Sequence, residues 1–268
     1  MNNSISLLKK CREVFSLLVV LSVFFLGPLL PTKGFSQKPG DWKLEKIPAD
    51  LEKDFALSAL PPHLRKGATV YLMDPEKGYY VAQKGTNGFI CFITRTEWEW
   101  ADFRKDLTMP ISFDAEGART IFPVYHDVAI MRASGKYTAL QVRDTVIHRI
   151  KKGIYKAPAR TGVSYMLAPL MRGYPGDPGN NKIMTMSMPH YMFYAPYLNN
   201  ADVGGTNDGP LMVGNPDNTL LGDKKGPFGY IILPAGEKEQ AQIMKANADL
   251  LKRLAAYKSY YKIKTMGM

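Results

Sequence analysis

The sequence predicts an α+β fold, an antiparallel sheet packed with about three to four helices that include a C-terminal amphipathic helix. Three observations predict it. Short β-rich runs separated by turn residues fill positions 69–94, apolar residues recur with helical spacing over 138–152, and a Lys-, Ala- and Leu-rich helical pattern extends from 236 to about 261. The chain has 268 residues, 46% of them hydrophobic and 22% charged, which excludes a disordered or collagen-like protein.

The first elements are a short helix and three strands. Residues 49–60 have apolar side chains at helical spacing, and Pro61 ends the helix. The runs ATVYLM, YYVAQK and FICFITR, joined by the turns DPEKG and GTNG, predict a three-strand meander at the start of the sheet. On the third strand Cys91 alternates onto one face with Phe89 and Ile93, so it is predicted to be a buried hydrophobic residue rather than a catalytic thiol.

Helices and further strands complete the pattern. Residues 114–136 form a helical block that Pro123 is expected to kink or divide, and a second helix over 138–152 ends at Gly153. The later strands are predicted over 161–168, 182–195 and 229–234. Neither a repeat nor a linker interrupts the chain after residue 48, so residues 37–268 are predicted to form a single α+β domain.

The N-terminus has the pattern of a secretory signal peptide over residues 1–36. Basic residues precede an uncharged apolar run at 14–30, and the small residues Gly34 and Ser36 suit cleavage before Gln37. The alternative is an uncleaved anchor, because a run of this length just reaches the lower limit for crossing a bilayer. Cleavage is the preferred interpretation, and it predicts a protein exported to the periplasm or the extracellular space, with no membrane span left after cleavage.

The charge balance bears on partners. The whole chain carries a net charge of +11, and removal of residues 1–36 leaves 31 basic and 23 acidic residues, a net charge of +8. A basic surface favours anionic envelope polymers or lipid headgroups. Because export makes a nucleic-acid partner unexpected, the predicted partners are a small molecule or a cell-envelope component.

Five segments carry a resemblance to a known family. They are KGTNGF (84–89), DAEGARTI (114–121), RTGVSYML (160–167), PHYMFYAPYLNNADVGG (189–205) and GYIILP (229–234). In these segments the chain resembles an uncharacterised family of exported bacterial proteins. The resemblance covers most of the mature chain and implies a single domain, but it implies no reaction, cofactor or catalytic residue.

A methionine alternation is the first candidate site. Met184, Met186 and Met188 precede His190, and on an extended strand all four share one face unless Pro189 introduces a bulge. Thioethers and imidazole bind Cu(I), so these residues are copper-ligand candidates. The alternative is that the methionines fill an irregular core.

Acidic residues near a predicted helix start are the second candidate site. Asp114 and Glu116, with His190 opposite them, are candidates for general acid and base catalysis or for a divalent metal. Acidic side chains at a helix start also interact favourably with its backbone N–H groups, which is the structural alternative.

The loop over 199–218 and the aromatic segment before it form the third candidate site. Asp202 and Asp208 lie among glycines in an oxygen-rich loop that could wrap Ca²⁺, although the spacing is not that of an EF-hand and turn formation is the alternative. The candidate ligand-binding residues of this region are His190, Tyr191, Tyr194, Asn200 and Asp202.

Three functional hypotheses follow. The sequence lacks the motifs of serine hydrolases, zinc proteases, P-loop enzymes and dinucleotide-binding enzymes, so non-catalytic binding of a small ligand, envelope component or metal leads. The alternative is a metal- or carboxylate-dependent hydrolase that uses Glu116, Asp114 and His190. An envelope-associated structural protein with an adhesive basic surface is the third. No motif identifies a cofactor.

Overall fold

Eight strands form one mixed sheet in the part of the chain that the structure describes. The structure is a computed structural model, and it describes residues 42–174, 183–206, 211–214, 220–221 and 225–263. The strands are β1 (Thr69–Asp74), β2 (Gly78–Gln83), β3 (Ile90–Thr94), β4 (Met109–Phe113), β5 (Val163–Met166), β6 (Met171–Gly173), β7 (Met184–Met186), β8 (His190–Tyr194), β9 (Met212–Gly214) and β10 (Tyr230–Pro234). Their order in the large sheet is β2-β1-β3-β4-β5-β8-β10-β9, and β6 pairs with β7 in a small separate sheet.

Helices cover both faces of the large sheet. Within the described ranges they are α1 (Ala49–Leu57), α2 (Pro62–Arg65), α3 (Ala115–Thr120), α4 (Phe122–Ala133), α5 (Ala139–Lys151), α6 (Asn200–Val203), α7 (Glu237–Ala246) and α8 (Ala248–Tyr257). Strand β3 is buried along its whole length, and its alternating side chains divide between two cores. Phe92 joins the core that α4 and α5 cover, whereas Cys91 and Ile93 join the core that α1 and α8 cover. The predicted α+β class with a mainly antiparallel sheet is confirmed.

The order of the first three strands differs from a meander. Strand β3 does not pair with β2; it pairs in parallel with β1, Thr69 opposite Ile90. The GTNG segment is therefore not a hairpin turn, and it carries the chain past the start of β1, where the amides of Thr86 and Asn87 donate to the carbonyl of Gly67. This crossing needs glycine at Gly85, because a Cβ there would lie 2.2 Å from the Gly67 carbonyl oxygen.

The helical predictions are confirmed with two refinements. The block over 114–136 divides into α3 and α4 beside Pro123, which lies in the first turn of α4. Helix α5 begins at a capping box formed by Thr138 and Gln141. The C-terminal helical segment is interrupted at Asn247, where α7 ends before α8 begins, and the side-chain Nδ2 of Asn247 donates to the Ile243 carbonyl oxygen at 2.7 Å.

The predicted strand over 182–195 is two strands in two sheets. Met184 and Met186 lie on β7, which pairs with β6, whereas β8 begins at His190 and pairs with β5 and β10. Pro189 lies between the two strands. Because proline has no N–H to donate, it cannot make a ladder hydrogen bond at this point. The four side chains predicted to share one strand face therefore separate into two groups.

The described residues all lie between 42 and 263. No helix among them has the length and apolar character needed to cross a bilayer. Residues 1–41 lie outside the described ranges, so the signal peptide over 1–36 and the domain boundary at Gln37 stay predictions.

Candidate ligand-binding cavity

A cavity of about 360 Å³ opens where the connection between β3 and β4 passes the ends of β8, β9 and β10. Its polar lining residues are Thr94, Thr96, Glu97, Glu99, Tyr174 and His190. Its apolar and aromatic lining residues are Trp100, Met109, Tyr125, Met188, Met212 and Ile232. A concave, mostly apolar surface with a few polar groups is the usual form of a small-molecule site.

Glu97 is the buried carboxyl group of this cavity. Its Oε2 atom is inaccessible to solvent and accepts no hydrogen bond from any residue that the structure describes. Burial raises the pKa of Glu97 to about 7, and the negative charge of Asp102 raises it further in the same direction. At neutral pH this carboxyl group is therefore divided between its protonated and ionised forms.

His190 is the buried imidazole of the same cavity. Its side chain lies at the start of β8, the residue is 4% exposed, and Nδ1 lies 2.7 Å from the Met188 carbonyl oxygen. A carbonyl oxygen can only accept, so Nδ1 carries the hydrogen and Nε2 carries the lone pair. Burial lowers the pKa of His190, which keeps the ring neutral at pH 7.

Two arginines hold the cavity wall that contains Glu97. Arg132 on α4 donates to the carbonyl oxygens of Arg95 at 2.6 Å and Arg104 at 2.8 Å, and to Thr96 Oγ1 at 2.8 Å. Arg95 in turn donates to the carbonyl oxygen of Leu107 at 3.0 Å. Buried guanidinium groups thus fix the backbone on both sides of Glu97 without contacting its carboxylate.

A hydrogen bond links the connection between β3 and β4 to the residue that follows β6. The Tyr174 hydroxyl donates to Asp102, and the Asp102 carboxylate also lies 4.0 Å from Arg104. Gly173 lets β6 pass close to Met109 of β4, because a Cβ at this position would lie 2.8 Å from Met109 Sδ. Burial, followed by the hydrogen bond to Asp102, raises the pKa of Tyr174.

The structure gives Asp114 a structural environment. As the N-cap of α3 it accepts from the Gly117 amide at 2.9 Å and from the Tyr194 hydroxyl at 2.9 Å through Oδ1. Its Oδ2 accepts from the Val163 amide at 3.1 Å, which ties the helix start to β5. These contacts account for an acidic residue at the helix start.

Glu116 also has structural partners. Its Oε1 accepts from Arg119 and from the Ala159 amide, each at 2.7 Å, and Arg160 lies 3.7 Å from Oε2. The hydrogen bond from Arg119 lowers the pKa of Glu116. No contact between described residues joins either carboxylate to His190, which is four residues along β8 from Tyr194, about 13 Å on an extended strand.

Of the five predicted ligand-binding residues, His190 lines the cavity and the other four lie elsewhere. Tyr191 projects to the opposite face of β8 and donates to Glu239, and burial raises its pKa to about 12. Asn200 accepts from the Val213 amide at 2.7 Å. Asp202 pairs with Lys225, a hydrogen bond that lowers the pKa of this carboxylate.

The predicted metal ligands separate in the same way. Met188 lines the cavity with His190, and Met109 and Met212 join them from other strands. Met184 and Met186 lie on β7, outside this lining, and Asp208 lies outside the described residues. Within the described ranges no group of three or more His, Cys, Asp or Glu side chains could hold a metal ion.

Most of the cavity residues were not identified from sequence. Glu97 lies in the connection between β3 and β4, Trp100 ends a short 3-10 helix over Trp98–Trp100, and Tyr174 directly follows β6, so the cavity unites residues that are far apart in the sequence. The available signal was the segment RTEWEWADF, where acidic and aromatic residues alternate between two strands.

Comparison with family models, curated proteins and solved structures gives no match for this chain.

Proposed function

We propose that the protein is an exported binding protein that takes a small molecule into the cavity between Glu97 and His190 without transforming it. The observation that carries the proposal is Glu97 Oε2, a buried carboxylate oxygen to which no described residue donates. A buried polar atom left without a hydrogen bond costs about 1–3 kcal/mol, more for a charged group. Because Oε2 is shielded from solvent, a ligand in the cavity reaches it only when the Glu97 side chain turns towards the ligand, and the hydrogen bond then made recovers that free energy.

The shape and composition of the cavity support the same proposal. Its volume of about 360 Å³ lies within the range of small-molecule sites, roughly 300–1,000 Å³. Three methionines line it, and their unbranched side chains adapt to an apolar ligand. Arg132 and Arg95 hold the wall from behind, which limits the reorganisation needed on binding.

Binding is favoured over the hydrolase alternative by the partners of the two carboxylates. Asp114 and Glu116 already accept backbone and side-chain hydrogen bonds, and those contacts lie away from the cavity that contains His190. Export rests on the basic N-terminus, the apolar run at 14–30 and the small residues before Gln37. Membership of the family of exported bacterial proteins belongs to the same proposal.

The test is thermal unfolding of the purified protein with a panel of amines, alcohols, carboxylates, sugars, cell-wall fragments, Cu(I) and Ca²⁺. A ligand that binds the native state raises the midpoint by mass action. The shift should fall strongly in Glu97→Gln and His190→Ala. It should persist in Glu76→Gln, which changes an exposed carboxylate paired with Lys43.

The proposal fails if no member of the panel raises the midpoint. It also fails if a shift is the same in Glu97→Gln and His190→Ala as in the unsubstituted protein, because the ligand would then bind elsewhere.

A further inference from the structure

Resting on the proposed binding function, we propose that the cavity selects a small organic cation, an amine whose ammonium group donates hydrogen bonds to the Glu97 carboxylate and to His190 Nε2. The hydrocarbon part of the amine then packs on the methionines and aromatic rings of the cavity. The argument depends on the polarity of the buried groups, on local charge and on the apolar lining.

Two polar groups of the cavity can accept hydrogen bonds from a ligand. Glu97 Oε2 is an ionisable oxygen without a donor among the residues described, and the neutral His190 ring presents Nε2 as an acceptor because Nδ1 donates to Met188. Thr96 Oγ1 accepts from Arg132, and Thr94 Oγ1 donates to the Thr96 carbonyl. A ligand that supplies several donors from one atom fits this set, and an ammonium group carries up to three.

The local charge favours a cation in an otherwise basic protein. Glu97 and Glu99 both line the cavity, and the charge of Asp102, which Arg104 approaches to 4.0 Å, also acts on Glu97. The buried cation Arg132 reaches this wall through Thr96 and the backbone rather than through Glu97. An anionic ligand would bring a second negative charge beside Glu97, which costs free energy in a buried site.

The lining provides the rest of the site. Trp100 is 44% exposed and Met188 43% exposed, so both stand at the opening, and Tyr125 and Tyr174 provide further aromatic rings. An ammonium group is attracted to the faces of such rings. Met109, Met212 and Ile232 provide an apolar surface for the hydrocarbon part.

Cation binding in this site is linked to proton release. The amine pairs with ionised Glu97, whereas burial and the charge of Asp102 favour the protonated carboxyl group. The other titratable or charged groups at this wall are Glu99, Asp102, Arg104, Tyr125, Tyr174 and His190, and burial lowers the pKa of His190. As the pH is raised towards 7, the affinity for the amine should therefore increase about tenfold per pH unit, and above pH 7 it should level off.

The experiment is calorimetric titration of the purified protein with 2-phenylethylamine, 2-phenylethanol and phenylacetate, which share one hydrocarbon group and differ in charge. The amine should bind at least about tenfold more tightly than the alcohol, because hydrogen bonds to a charged group are stronger than those between neutral groups. The proton released on binding is taken up by the buffer. At pH 6, titrations in phosphate and in MOPS, which have different heats of protonation, should therefore give different binding heats. Glu97→Gln should lose both the preference for the amine and the proton release, and Glu76→Gln should keep both.

Two outcomes overturn this inference while leaving the proposed function intact. They are equal binding of the amine and the alcohol, and tighter binding of phenylacetate. Binding of Cu(I) alone, with a requirement for Met188 and Met212, would overturn the proposed function as well. If none of these probes binds and the wider panel gives no unfolding shift, the proposed function fails as well.

Discussion

The Tyr194 hydroxyl donates to Asp114 at 2.9 Å and lies 3.0 Å from the Val163 carbonyl oxygen, so one phenol joins β8, β5 and the N-terminus of α3. Burial, followed by the negative charge of Asp114, raises the pKa of Tyr194 and keeps the phenol protonated. Two glycines make room for the ring. A Cβ at Gly117 would lie 2.1 Å from the Tyr194 hydroxyl oxygen, and one at Gly162 would lie 2.6 Å from the ring.

Gly117→Ala should therefore destabilise the protein by about 1–3 kcal/mol, the usual cost of inserting a methyl group into a packed site. In a Tyr194→Phe background the cost should be smaller, because the nearest clashing atom is gone while the ring carbon at 2.7 Å remains. Urea unfolding of the four proteins of this double-mutant cycle measures the coupling.

Gly236→Ala is the matched control, because a Cβ there meets no described atom within 4 Å and the backbone φ is −66°. Strictly additive effects of Gly117→Ala and Tyr194→Phe would show that the hydroxyl does not limit the space at Gly117.

Arg132 should be a positioning residue of the cavity wall. Arg132→Lys removes most of its bonds to the carbonyl oxygens of Trp42, Arg95 and Arg104, and we expect a loss of roughly 3–5 kcal/mol, as for other broken buried charge networks. Urea unfolding measures the stability of the variant. Calorimetric titration with the ligand found for the cavity measures the affinity, which should fall together with the stability. Arg253→Lys alters an exposed arginine paired with Asp54 and should change neither quantity much.

An Arg132→Lys protein that keeps full affinity would show that Arg95, through Leu107 and Lys105, positions the wall by itself.

Local patterns predicted the elements, and contacts distant in sequence decided their arrangement. The capping box at Thr138 and the alternation at Cys91 are set by neighbouring residues, so α5 and the burial of β3 could be predicted. The parallel pairing of β1 with β3 depends on the passage of Gly85 beside Gly67, which no propensity encodes.

The candidate site was predicted only in part for the same reason. His190 and Met188 belong to a segment rich in metal-binding residue types, which drew attention to them. Glu97 is an ordinary loop residue in the sequence, and its raised pKa comes from its burial in the fold. Asp114 and Glu116 matched a catalytic pattern, but nearby amides at Gly117 and Ala159 engage them.

Cys91 should be unreactive while the protein is folded. Its thiol is fully buried between β1 and the helical layer, and burial raises its pKa to about 12. In a Cys11→Ser protein, which leaves one thiol, modification by a disulfide reagent at pH 8 should follow unfolding of the chain and accelerate with urea. Rapid stoichiometric modification without denaturant would show that local opening exposes this face of the sheet.

Glu52 should make the protein less stable as the pH rises through neutrality. The residue is 1% exposed, its Oε1 accepts from the Met73 amide at 2.9 Å, and burial raises its pKa from 4.5 to about 7. An acid with a raised folded-state pKa favours folding in its protonated form, so its contribution is complete below about pH 4.5 and is lost as the pH rises through 7. Glu52→Gln keeps an acceptor for Met73 and removes the ionisation, so it should be the more stable protein above pH 7, by at most about 3 kcal/mol.

Glu97 titrates in the same window, so urea unfolding from pH 4 to 8 should be compared in a Glu97→Gln background, with and without Glu52→Gln. Parallel pH profiles for the two proteins would show that Glu52 ionises at its ordinary pKa and that water or a structural shift relieves its burial.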